Sequence, residues 1–325
     1  MNTRNRRLRQ LSIADILDET VEIYKSNFVL LVGISAVLYI PYSLLMQFIP
    51  QPRLMQKTFD PGAMIWIALA ILLLYVVVNP LVTAALTFAV SERYLDRPAS
   101  IVECYRRVGK LGVLLPFIGA TALTGLIAIA ALTLPIVLIS MGMALIAAIR
   151  TAAAVGAGIA LLFAGVAAFA LPIWIIMKLV MLAPAYFVES HRPIAAMKRS
   201  WNLIKGGMLK AFGAILIAGV VVFLIEGMLS APTSFVVMRD SMAGSLPGTG
   251  VLIVHNVVNG IVSTILMPIT SIVVILLYYD LRIRKEGFDL QLLADEIDRR
   301  TREIPAQGQE QIPPSSNNTE SSEGD

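Results

Sequence analysis

Long apolar runs separated by short charged segments dominate this chain, and their spacing recurs. Six stretches, 28–49, 64–91, 111–138, 152–187, 209–230 and 252–279, are long enough to cross a bilayer as helices, since about 20 apolar residues suffice. None alternates apolar and polar positions as barrel strands do. Ahead of the first, third and fifth runs lies a shorter segment with helical periodicity. Ile13, Ile16, Leu17, Thr20 and Tyr24 share one face of the first, and Ile101, Tyr105 and Val108 one face of the second. Ser12 with Asp15 and Ser100 with Glu103 form capping-box pairs at the start of these helices. Pro193 opens the third, as suits a first helical turn.

Amphipathic helix followed by apolar hairpin is therefore a unit written three times, over about 11–97, 98–192 and 193–302. Ser12-Ile13-Ala14-Asp15, Ser100-Ile101-Val102-Glu103 and Pro193-Ile194-Ala195-Ala196 mark the three starts. Pro80 and Pro268 each stand 12 residues before an acid, Glu92 and Asp280, that closes a hairpin. The predicted fold class is all-α: a polytopic membrane protein of six transmembrane helices in three pseudo-repeats, domain 11–302. A basic leader, 1–10, precedes it. The tail 303–325, rich in Pro, Gln, Ser, Asn and acids, reads as disordered. Between hairpin arms, 50–63 is a polar connector and 139–151 a short turn; 231–251, with Pro232, Gly244, Pro247, Gly248 and Gly250, reads as the largest loop. Leu290, Leu293, Ala294 and Ile297 give a last amphipathic helix.

Composition and charge add a compartment and an orientation. At 57% hydrophobic and 15% charged residues the chain lies outside the range of soluble domains. Of the 26 lysines and arginines, 21 fall in the two terminal segments and the two segments between hairpins. By the positive-inside rule both termini are cytoplasmic, and a prokaryotic inner membrane is the expected location. Arg6-Arg7 is not followed directly by an apolar core, so no cleaved leader is expected. The single cysteine, Cys104, excludes an intramolecular disulfide and a cysteine-based zinc site. The net charge of +4 fits anionic lipid as a partner, rather than nucleic acid.

Few residues offer chemistry. Lys178 interrupts the fourth run, and counting about 1.5 Å per residue from Glu189 places it ~16 Å deep, near the bilayer centre. A charge there is costly unless paired or hydrated. It reads as a structural pair with Glu226 of the fifth run, as a hydrated lysine, or as a substrate or headgroup site. Asn79 beside Pro80 can satisfy carbonyls freed by a kink, and two such kinks, at Pro80 and Pro268, can frame a cavity or merely pack. His255, Asn256 and Asn259 make a poor metal site, and no metal or other cofactor is expected. Gly33, Gly119, Gly213, Gly156, Gly158 and Gly165 read as close-packing positions. Arg106, Arg107, Lys198 and Arg199 set topology or hold lipid headgroups. No phosphate loop, paired carboxylates or nucleophile with its base is present, which argues against a hydrolase.

Two segments carry a resemblance. Pro184-Ala185-Tyr186-Phe187-Val188-Glu189 leads into Lys198-Arg199-Ser200-Trp201-Asn202-Leu203-Ile204-Lys205-Gly206, and the last run leaves through Tyr278-Tyr279-Asp280-Leu281-Arg282-Ile283-Arg284-Lys285-Glu286-Gly287-Phe288-Asp289. Together they resemble the membrane domain attached to some bacterial glycerophosphodiester phosphodiesterases and its stand-alone relatives, over roughly 11–302. The resemblance implies a membrane module working near lipid metabolism. It transfers no catalytic residue, because a soluble catalytic barrel has no room after the sixth run. The expected function is a non-catalytic module that binds lipid or a partner protein at the inner leaflet. A small transporter or channel using Lys178, Asn79 and Glu226 is the alternative.

Overall fold

A computed structural model describes residues 10–45, 61–148, 151–190, 192–245 and 247–287. The leader up to residue 9, most of the 50–63 connector, the amphipathic segment around Leu290 and the 303–325 tail lie outside the described residues. Among the described residues all regular structure is helical. Helix α1 (Ile13–Ser26) starts with the full capping box: Ser12 Oγ accepts from Asp15 N, and the Asp15 carboxylate accepts from Ser12 N at 2.7 Å. Next come α2 (Phe28–Leu45), α3 (Pro61–Leu73), a π-helical turn Leu74–Val78 and α4 (Asn79–Tyr94). The Ser100-capped α5 (Ile101–Val108) leads into α6 (Leu111–Ala148). The fourth run is divided into α7 (Ala152–Ala168), α8 (Ala170–Leu179), a single turn α9 (Leu182–Pro184) and a π-helical segment Ala185–Ser190. Helices α10 (Pro193–Leu203), α11 (Met208–Met242) and α12 (Thr249–Glu286) complete the chain.

Six spans result: Phe28–Leu45, Ile65–Tyr94, Leu111–Ala148, Ala152–Glu189, Met208–Met242 and Thr249–Glu286. All are long and apolar enough to cross a bilayer, so the chain is a multi-pass membrane protein. The apolar segments continue further than expected. Helix α6 runs to Ala148 and α11 to Met242, which leaves 139–151 mostly helical and reduces the expected large loop at 231–251 to its second half. Pro232 does not end α11: a proline in lipid is tolerated where neighbouring groups re-satisfy the backbone. Likewise α12 passes through Pro268 without interruption.

Other prolines do break helices, each at the carbonyl four residues earlier, where the ring clashes and the missing N–H leaves a gap. Pro80 widens the turn before it, so that Asn79 N reaches back to Leu74 O in a π-type bond. Pro172 coincides with the break between α7 and α8, and Pro184 with the break at Val180–Met181. The fourth span is therefore a chain of helical pieces and not the single straight helix expected.

The buried core lies at the end of the bundle that carries the basic residues. Tyr94, Tyr186, Tyr278, Tyr279 and Phe117 are fully buried there with Ile16, Ile23, Leu31, Ile34 and Leu203. Helix α12 is central: half of its apolar window is buried, against 11% for each long span of the second hairpin. Tyr hydroxyls tie two of the short helices to the spans and the fourth span to the third. Tyr24 donates to Ile265 O at 2.8 Å, Tyr105 to Ile34 O at 2.6 Å and Tyr186 to Val113 O at 2.8 Å. Such donors need an acceptor once buried. Towards the other end the side chains of α3, α6 and α7 are largely exposed and apolar, a surface suited to lipid tails.

The glycines divide. Backbone and side-chain atoms of Gly142 and Ile146 fill the space a Cβ on Gly158 would need, and Ile139 with Pro135 does the same at Gly165. Ile101 closes on Gly33 and Ile13 on Gly213. Gly119 and Gly156 have open space instead, so the expected packing role does not extend to them. Gly158→Ala is expected to destabilise the α6–α7 pair by about 1–3 kcal/mol through overpacking, while Gly156→Ala leaves stability unchanged. Thermal unfolding of the two variants in the same detergent checks the contrast.

Candidate functional site

Lys178 sits at the break in the fourth span. The Ser200 hydroxyl spans the gap, donating to Lys178 O at 2.8 Å and accepting from Met181 N at 3.1 Å. This bond pins α10 against the end of α8 and brings Trp201, the next residue, edge-to-face with Trp174 at 5.1 Å. The Lys178 ammonium lies 5.6 Å from both indole centroids, with the residue only 7% exposed. Among the described residues no carboxylate or hydrogen-bond acceptor engages it. The expected pair with Glu226 is absent, since Glu226 accepts from Ser263 of α12 at 3.1 Å.

Lys178 also lies close to the basic helices. Trp201 belongs to α10, and Lys205 and Lys178 both repel the charge of Lys285 at the end of α12. Lys178 thus belongs to the basic end. The chain between Lys178 and Glu189 is broken, so a rise of about 1.5 Å per residue does not apply across it.

Asn79 occupies a different place. Its side-chain oxygen accepts from the Tyr39 hydroxyl, and with Pro80, Thr83, Thr121 and Thr124 it lines a cavity of about 240 Å³. Leu179 and Val180, at the other proline break, form the opposite wall. Irregular backbone at membrane depth is tolerated where it lines such a cavity. Lys178, Asn79 and Glu226 do not converge on one site.

Three carboxylates at the basic end organise the charges. Asp280 is fully buried, accepts from Leu11 N at 2.7 Å, pairs with Lys210 at 2.5 Å and takes Arg284 Nε at 3.0 Å. Arg284 and Lys210 also donate to Leu11 O, so the start of the chain is held from both sides. Glu189 receives Arg199 at 2.7 and 2.9 Å and the Tyr278 hydroxyl, while Glu286 takes the rest of the Arg199 fork, at 2.6 Å from Nη2. Hydrogen bonds that Arg199 donates to Glu286 and Glu189 push its pKa up and keep the guanidinium charged. Glu92 faces Arg97 at 4.0 Å and Arg107 at 3.9 Å.

Of the four cations expected at headgroups, Arg199 is consumed inside this network. Arg106, Arg107 and Lys198 are exposed, with Arg107 also 4.6 Å above the Phe88 ring. His255 bonds to Thr233 at 3.1 Å and to Asn259 at 3.0 Å, a polar seam between α11 and α12. No group of three metal-ligating side chains occurs among the described residues. Sequence reasoning missed the Trp174–Trp201 pair and the Ser200 bridge. Trp201 lay inside the segment that carried the resemblance, but its partner is 27 positions earlier in the chain. The chain matches no known family model, no curated protein and no solved structure.

Two outcomes follow from this geometry. Asp280→Ala leaves Lys210 and Arg284 without their carboxylate and is expected to cost about 3–5 kcal/mol. The Asp280→Ala, Lys210→Met double variant should lose less than the two singles together, as unfolding of all three in detergent will show. Burial, and then the Glu103 charge, push the Cys104 thiol up to about 11 from an ordinary 9.0. The folded state therefore favours the protonated thiol. That contribution is complete below pH 9 and is lost as pH rises towards 11. Iodoacetamide at pH 8 is expected to leave Cys104 unmodified in the native protein and to modify it after unfolding, with mass spectrometry as the readout.

Proposed function

We propose that this protein is a non-catalytic inner-membrane module whose short amphipathic helices hold anionic lipid headgroups at the cytoplasmic leaflet, both termini lying on that side. One observation carries the reading. On each of α1, α5 and α10 an exposed apolar residue precedes an exposed cation by four positions: Val21 and Lys25, Val102 and Arg106, Ile194 and Lys198. Residues four apart share a helix face. Val102 and Ile194 are 77% and 78% exposed, an unfavourable place for them in water and a favourable one among acyl chains just below the phosphates. The cation beside each then lies at phosphate level.

A threefold reuse of one unit belongs to the same reading. Ile13 of the first unit covers Gly213 of the third, and Ile101 of the second covers Gly33 of the first. The third contact is missing: Ile194 is exposed and Gly119 stands open. The kinship with the phosphodiesterase-linked membrane domain is likewise proposed, on residues 184–206 and 278–289.

The cavity beside Asn79 favours a second reading, passage of a small polar molecule. That reading requires Thr83→Cys to react with water-borne thiol reagents in intact membranes. Lack of labelling there removes it. For the lipid reading, purified protein is expected to carry anionic lipid in excess over its share of the membrane. Replacing Arg106, Arg107 and Lys198 by Gln should remove at least half of that excess, as measured by lipid mass spectrometry. An unchanged lipid profile overturns it.

A further inference from the structure

Resting on the lipid-binding reading, a more specific site can be assigned. We propose that the basic end of α8, α10 and α12 and the groove between α8 and α11 together hold one anionic phospholipid, its phosphate at Lys178 and one acyl chain in the groove.

The headgroup half is a set of cations short of counter-charge. Lys178 has no acidic partner among the described residues and no acceptor for its three N–H bonds. Lys285 is its like-charge neighbour, and Lys205 in turn is a like-charge neighbour of Lys285. Lys285 donates to Asn202 O at 3.2 Å and to Lys205 O, which holds it beside Trp201. The acid closest in sequence, Glu286, already receives the Arg199 fork at 2.6 Å. Burying an ammonium without a partner is costly in a membrane protein. A phosphate supplies the missing charge. The Trp174 and Trp201 indole N–H groups have no acceptor among the described residues either. Indoles belong at headgroup level, where one edge is wet and the ring is in apolar surroundings.

The acyl half begins one residue away. Met177, directly before Lys178, lines an apolar groove of about 310 Å³ with Phe212, Leu216, Gly219 and Phe223 of α11. From Phe212 to Phe223 the groove follows α11 for about 17 Å, close to the ~15 Å thickness of one hydrocarbon leaflet. It starts about one turn inside Met208, at the end where the cations lie. A cation adjoining, through Met177, an apolar channel one leaflet deep fits a diacyl lipid with a phosphate headgroup, and does not fit a free phosphate.

The test uses the full chain in detergent micelles, with dioleoyl phosphatidylglycerol as the probe, dioleoyl phosphatidylcholine as the neutral control and glycerol 3-phosphate as a water-soluble competitor. Native mass spectrometry counts bound lipid. Wild type is expected to retain one phosphatidylglycerol in preference to phosphatidylcholine. Lys178→Gln should weaken it about fivefold. Gly219→Trp should displace the lipid by filling the groove with every cation intact; a Cβ at this position meets nothing within 4 Å, and thermal unfolding in the same detergent checks that the variant is folded. Arg106→Gln with Arg107→Gln should leave this one lipid in place. Undiminished retention in both Lys178→Gln and Gly219→Trp overturns the site while leaving the broader reading intact. Competition by glycerol 3-phosphate, with no effect of Gly219→Trp, overturns the acyl half. No preference for phosphatidylglycerol in wild type overturns the site and the broader reading together.

Discussion

A backbone carbonyl without a donor has no water to turn to inside a bilayer, and much of this structure is an answer to that constraint. Where Pro80, Pro172 and Pro184 remove donors, the helix widens or breaks. Elsewhere the chain supplies substitutes. The Ser200 hydroxyl serves both sides of the break after Lys178. Tyr24 and Tyr186 donate to Ile265 and Val113, each the residue next to the carbonyl that Pro268 or Pro116 leaves without its donor, in helices that stay unbroken. The short amphipathic helices are therefore more than a collar around the bundle. Through α1 and α10 they reach the weak points of the spans and hold them in shape.

Much of this was legible in the sequence. Hydropathy gave all six spans, and capping residues gave the starts of α1 and α5, because both signals are local. The bend beside Asn79 was legible for the same reason, since proline chemistry acts on the four residues before it. The broken course of the chain around Lys178 was not read. Hydropathy sums over a window and is blind to Pro172 and Pro184, so the fourth run read as one rod. The prolines were visible, and counting four residues back from each finds both breaks. The partners of Lys178 and Glu226 were out of reach for a different reason. Axial distance suggested they meet, but which face each helix turns inward depends on packing across the whole bundle. Ser263 lay closer to Glu226 than any cation did.

Charge is treated in two ways at the basic end. Asp280, Glu189 and Glu286 are enclosed by arginines, lysines and hydroxyls, so their contribution is to fix geometry. Arg106 and Lys198 face outwards, Arg107 shares Glu92 with Arg97, and Lys178 has no acidic partner among the described residues. Pairing spends the attraction of a charge internally, and only unpaired charge is available to something outside the chain. The division between these groups, more than the net charge of +4, separates framework from surface.

The hydrogen bond from Leu11 N to Asp280 joins residues 269 positions apart. As synthesis proceeds from the N-terminus, the residue before the α1 cap waits for the other five helical spans before it has its acceptor. Helix α12, the most enclosed span, is made after the other five, so those enter the membrane before their central neighbour. Folding here is thus a late event: the bundle can be fully inserted and still unfinished, and the final helix is what turns a set of inserted hairpins into one body.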